Sequence, residues 1–91
     1  MRDLGDRIEV TGAMTLPVAA GLLAEGSALL NRPDNVFDLA GVTDVDSSGL
    51  AVVFGWQRAA KRVGKAIRIA NPPQNLSSLA AVYGVSELLP L

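Results

Sequence analysis

Residues 44–53 read DVDSSGLAVV, two carboxylates and two adjacent hydroxyls running into an apolar stretch. A serine beside a carboxylate can be a nucleophile, a phosphate acceptor or the start of a helix. A serine or cysteine nucleophile needs a general base, usually histidine. The chain has no histidine and no cysteine, so a Ser-His-Asp arrangement and thiolate chemistry are both excluded within it. A metal reading would use Asp44 and Asp46 on one face of a strand. Two carboxylates hold Mg²⁺ only with substrate phosphates or further ligands, and nothing else in the sequence converges on them. Paired-carboxylate glycoside hydrolysis would need a cleft that so small a domain hardly has. None of these chemistries is expected, and neither is a metal or cofactor.

Two uses of the stretch remain. One of Asp46, Ser47 and Ser48 can cap a helix by accepting from its free backbone N–H groups, and Gly49 lets the first turn pass close to a neighbour. Capping does not need three polar residues in a row. A serine at a helix N-terminus is also well placed to carry a phosphate, whose charge the free N–H groups and the helix dipole stabilise. The same groups could cradle a nucleotide phosphate, but the chain has no GxxxxGK[ST] loop.

The elements that must position these residues follow from periodicity. Residues 7–12, RIEVTG, alternate as a half-buried strand, preceded by a Gly5-Asp6 turn and a short first strand over 1–4. Thr15 can cap a helix with Pro17 in its first turn, and Val18, Leu22 and Leu29 with Ala19, Leu23 and Leu30 form its buried stripe. NVFDLA (35–40) and KAIRIA (65–70) are further strands. After the serines comes the clearest helix, stopped before Gly64. A last helix is expected from an Asn71 cap, with Leu76, Leu79, Ala80 and Tyr83 buried and Gly84 as its stop. The closing VSELLPL is expected to tuck its leucines onto the core. Strands alternating with helices predict an α/β domain spanning residues 1–91, one sheet of about four strands with helices packed against it.

On a helical wheel, Val52, Val53, Trp56, Ala59, Ala60 and Val63 gather on one side as the core face. Gln57, Arg58, Lys61, Arg62 and Lys65 gather opposite. Leu50 and Phe54 fall among the cations, on the side expected to be wet. One edge therefore carries Ser47, Leu50, Phe54, Arg58 and Lys61, beginning at a helix N-terminus. Apolar anchors with a basic rim are how a partner-binding surface is built, unless another element covers Leu50 and Phe54.

Composition bounds the partners. The 91 residues are 49% hydrophobic and 19% charged with a net charge of −1, as in a globular domain with no overall pull toward nucleic acid. The apolar stretches are shorter than the roughly 20 residues that span a bilayer, and MRDLGDRIEV lacks the order of a signal peptide. The lack of cysteine fits a reducing cytoplasm.

The segment FDLAGVTDVDSSGLAVVFGWQRAAKRVGKAIRIANPP resembles the central part of STAS domains, the family named for sulphate transporters and anti-sigma-factor antagonists. Their mark is a strand, a short loop, then Asp-Ser-Ser-Gly-Leu opening a helix. The resemblance implies a mixed β-sheet with helices largely on one side, and a binding module rather than an enzyme. In the antagonists the second serine of the motif accepts phosphate from a partner kinase, which implies Ser48 as the acceptor here. The first serine, Ser47, matches the hydroxyl position important in MlaB-type STAS subunits. WQRAAKRVGK and the tail LAAVYGVSELLPL are similar to that second group. Its members dock on the ATPase of a phospholipid ABC transporter at the cytoplasmic face of the Gram-negative inner membrane. The resemblance therefore implies an ATPase partner, and through it the permease complex, with no direct lipid contact. The partner-facing residues would be Ser47, Ser48, Leu50, Phe54, Arg58 and Lys61. The alternative it implies is an antagonist switched at Ser48, with an anti-sigma-factor kinase as partner.

Overall fold

A computed structural model describes residues 1–91. The elements are β1 (Arg2–Asp3), β2 (Ile8–Met14), a 3-10 turn (Leu16–Val18) leading into α1 (Ala19–Ala28), and β3 (Asp34–Val45). Then follow α2 (Ser47–Arg62), β4 (Ala66–Ala70), α3 (Gln74–Val82) and a closing 3-10 turn (Ser86–Leu88). The sheet runs β1-β2-β3-β4, with β1 antiparallel to β2 and the other two pairings parallel. The fold is thus α/β with a mixed four-stranded sheet, as expected.

Period-two alternation settles which face is covered. Ile8, Val10 and Met14 of β2, Phe37 and Leu39 of β3, and Ile67 and Ile69 of β4 are buried. Their neighbours Glu9, Thr11, Asp38 and Arg68 are half-buried or exposed on the opposite face. α2 packs on β3 and β4, with α1 and α3 against its flanks. Trp56 is the centrepiece. Fully buried, it stacks on Phe37 with ring centroids 4.2 Å apart and planes within 8°, and its indole N–H donates to the Leu22 carbonyl at 3.0 Å. Gly26 makes room for that ring, since any Cβ there would run into the indole.

β3 is longer than the pattern predicts. Instead of a loop after residue 40, it continues to Val45 alongside β2, through register shifts between Glu9 and Thr11 and between Gly12 and Ala13. Gly12, at φ +82°, accommodates that irregularity. Residues 41–45 therefore pair as strand beyond the expected end at residue 40.

Four helical expectations are corrected. Thr15 makes no side-chain cap, and a 3-10 turn separates it from α1, leaving Val18 exposed. Asn71 does not cap α3. It sits at φ +51° with its amide donating to Asp38 Oδ1 at 3.0 Å, and Pro73 precedes the helix instead. Val63 is 61% exposed because α2 ends at Arg62 and the chain turns outward into Gly64 at φ +71°. Tyr83, at the C-terminal boundary of α3, is exposed rather than buried. Of the closing leucines only Leu89 is buried. The Pro90 carbonyl accepts from Ile69 N–H at 2.7 Å, tying the tail to β4.

Candidate partner interface

The start of α2 is built by Asp46 and Gly49. Asp46 is extended (φ −115°, ψ −171°), and its Oδ1 accepts from Ser48 N–H at 2.8 Å and Gly49 N–H at 3.3 Å. Its Oδ2 accepts from Leu16 N–H at 3.1 Å. One carboxylate therefore caps α2 and holds the 3-10 turn that opens α1. The Leu16 N–H bond, with those from Gly49 and Ser48, lowers its pKa against a partial opposing cost of desolvation. Gly49 is buried because the helix begins hard against the end of β2. A Cβ would meet the Met14 carbonyl and lie 2.9 Å from Val45 Cγ1. Asp46 is thus committed to backbone N–H groups.

With the cap assigned to Asp46, the hydroxyls of Ser47 and Ser48 are left over, and they face different ways. Ser47 is exposed and lines a groove between the start of α2 and α3, with Asn75, Ser78, Val82 and Tyr83. Ser48 is half-buried and turned toward α1, sharing a depression with Ala19, Ala20 and Leu23. Further along α2, Phe54, Gln57, Arg58 and Lys61 line a third groove with Val85 and Leu88. Arg58 borders both this groove and the depression near α1.

The expected edge is therefore divided, and one member leaves it. Leu50 is only 5% exposed and belongs to the hydrophobic core, so it is not a surface anchor. It lies within the core formed where α2 packs between the sheet and its flanking helices. Phe54 is half-buried and packed against the same core. Arg58 and Lys61 are exposed.

Apolar groups around Ser47 come from elsewhere in the chain. Leu16 (71% exposed) is bonded to Asp46 at the helix start, and Val82 (79% exposed) and Tyr83 at the end of α3 line the groove with Ser47. Periodicity points Val18 and Tyr83 inward. Leu16, an apolar residue directly before a proline with no periodic partner, carries the one sequence signal of this patch. Charge is also unevenly used. Arg2, Arg7 and Arg32 are ion-paired with Glu9, Asp6, Asp38 and Asp3, whereas Arg58, Lys61, Arg62 and Arg68 have no ionic partner. Lys65 donates to the Leu30 carbonyl at 2.6 Å. No helix is long and apolar enough to cross a membrane.

A one-sided mixed sheet, with a helix launched by Asp-Ser-Ser-Gly from the end of its long strand, defines a STAS domain. The family model described as "Mlab, STAS domain" matches residues 2–90, and the chain belongs to that family. It is similar to the intermembrane phospholipid transport system binding protein MlaB of Haemophilus influenzae, 29% identical over 51 residues that make up 56% of this chain. The aligned region spans about half (49%) of the length of that relative. Among solved structures, the unphosphorylated anti-sigma factor antagonist SpoIIAA superposes with a TM-score of 0.72 at 15% identity, covering 97% of this chain and 82% of that one. A sulfate transporter family protein from Wolinella succinogenes gives a TM-score of 0.71 at 19% identity, covering 98% and 75%. At these identities the two structures share the fold.

Proposed function

We propose that the chain is a non-catalytic subunit that binds the ATPase of an ABC phospholipid transporter, and through it the permease complex. In this reading it sits at the cytoplasmic face of the inner membrane and supports the lipid transport that maintains outer-membrane asymmetry, without touching lipid or nucleic acid. The contact surface is the outer side of α2, with Ser47 and Ser48 at its start and Phe54, Arg58 and Lys61 along the groove further on. The observation that carries the reading is the exposed Ser47 at a helix start, sharing a groove with Val82 and Tyr83, with the exposed Leu16 held at the same helix start through Asp46. A small polar centre ringed by exposed apolar groups is what a docking partner excludes water from. Family membership and the phospholipid-transport name of the Haemophilus relative support the transporter as partner.

A second reading, a phospho-switched antagonist of an anti-sigma factor kinase, is favoured by the intact Asp-Ser-Ser-Gly with the Ser48 hydroxyl free of the cap. The test is a pull-down of tagged protein from native membranes and cytosol, with mass spectrometry of partners and of residues 44–58. An ABC ATPase and permease with unmodified serines is the expected result. A soluble kinase with phosphate on Ser48 would replace the first reading by the second.

A further inference from the structure

The net charge of −1 hides a strong asymmetry. Residues 1–46 carry eight acidic and three basic side chains, whereas between Ser47 and Ser86 there are five basic residues and no acidic one. The cations of the first part are all ion-paired, and those on the second half of α2 are not. Arg58 and Lys61 stand on the wall of the groove whose apolar lining is Phe54, Val85 and Leu88. Phe54 and Val85 pack on the core below, and Leu88, 58% exposed, forms the opposite lip beside the single acidic residue there, Glu87. The groove thus combines an apolar floor with a wall of unpaired positive charge.

We propose that this groove receives a short amphipathic segment of a partner protein, its apolar side chains on Phe54, Val85 and Leu88 and its acidic side chains against Arg58 and Lys61. Charge complementarity selects the occupant, because exposed unpaired cations beside buried apolar contacts favour carboxylates and repel a basic segment. The apolar side chains line a concavity between a helix and a turn, the shape in which one face of a helix beds. A lipid surface would call for apolar side chains standing proud of the basic ones. The proposal rests on α2 being the partner-facing element and names what its second half holds.

The experiment titrates ¹⁵N-labelled protein with three probes. They are a peptide with leucines at helical spacing flanked by glutamates, the same peptide with lysines for glutamates, and vesicles of phosphatidylethanolamine and phosphatidylglycerol. The acidic peptide is expected to give saturable shifts at Phe54, Lys61, Val85 and Leu88 that weaken with added salt. The basic peptide should bind at least about tenfold more weakly, and so should the acidic peptide to the double variant Arg58→Glu, Lys61→Glu. Both substitutions are at exposed positions, and an unchanged melting temperature confirms folding. Should the double variant lose stability, the comparison of the two peptides on the native chain decides alone. Equal affinity for the two peptides, shifts mapping elsewhere, or binding to vesicles without binding to peptide would each overturn the proposal. The transporter reading fails on a separate readout, an ATPase missing from the pull-down.

Discussion

At the residue scale, the Asp-Ser-Ser-Gly phrase divides its labour. Asp46 caps, Gly49 permits close approach, and the two serine hydroxyls take no part in the cap. Because Asp46 accepts from Leu16 as well as from Ser48 and Gly49, it joins two elements. Asp46→Ala should lower the melting temperature by several degrees and loosen the 3-10 turn, seen as faster amide exchange at Leu16 and Ser48. Its pKa is lowered in the folded state, so the unfolded chain takes up the proton first. The stabilisation is present in full above the ordinary carboxylate value of 3.8 and is lost as pH falls through the folded value. Asp38, held down first by the Asn71 amide, and Asp3, held down first by Gly5 N–H, act in the same direction. Urea titrations at about pH 6 and about pH 3 should therefore show a smaller acid loss for Asp46→Asn than for the native chain. At the other end of the core, Trp56→Ala removes a fully buried ring together with its stacking on Phe37 and its bond to Leu22. The expected cost is about 3–5 kcal/mol by chemical denaturation.

At the element scale, α2 has an inner face and two separate outer surfaces. This distinction decides which variants probe binding. Ser47→Arg changes an exposed side chain and should abolish recovery of the ATPase while leaving the melting temperature near the native value. Leu50→Ala should do the reverse at the level of the isolated domain, costing about 2–5 kcal/mol because the site is in the core. Phe54→Asp mixes both effects, since Phe54 is half-buried against the core, and is the poorer probe. A Ser47→Arg chain that co-purifies with the ATPase at native yield would remove the start of α2 from the interface. The helix itself is plain in the sequence, with a polar start, a long amphipathic run and cations in its last turn. Which of its off-face residues stay wet is not. Leu50 and Phe54 sit among cations on the wheel alike, and only the packed structure separates them, one in the core and the other half-buried at its edge.

At the scale of the whole molecule, the tail is part of the fold and part of the groove. Leu89 is 8% exposed and Pro90 bonds to Ile69 N–H, while Leu88 remains on the rim. Ending the chain at Val85 should remove about 1.5–3 kcal/mol for the buried leucine alone. In the same variant the groove beside Phe54 should open, read as loss of the acidic-peptide shifts together with a lower melting temperature. Replacing only Leu88 by Ala, at a 58% exposed position, should weaken the peptide and spare the stability.

The alternation in RIEVTG, NVFDLA and KAIRIA, the helix launched by Asp-Ser-Ser-Gly, and the missing histidine and cysteine by themselves determined the α/β class and argued against much of catalysis. Those are local properties, because side-chain period and capping chemistry act within a few residues of one another. The tertiary structure alone decided four further things: the run of β3 through GVT, the double duty of Asp46, the burial of Leu50 and the exposure of Tyr83. The first three depend on packing between elements distant in sequence, the fourth on where α3 stops. β2 lies alongside GVT, Leu16 is thirty positions before Asp46, Leu50 joins a core drawn from every layer, and the end of α3 at Val82 leaves Tyr83 outside. Periodicity can say that a side chain shares a face with its helix-mates. What covers that face is settled only when the elements pack, because burial is a property of the assembled surface rather than of the segment.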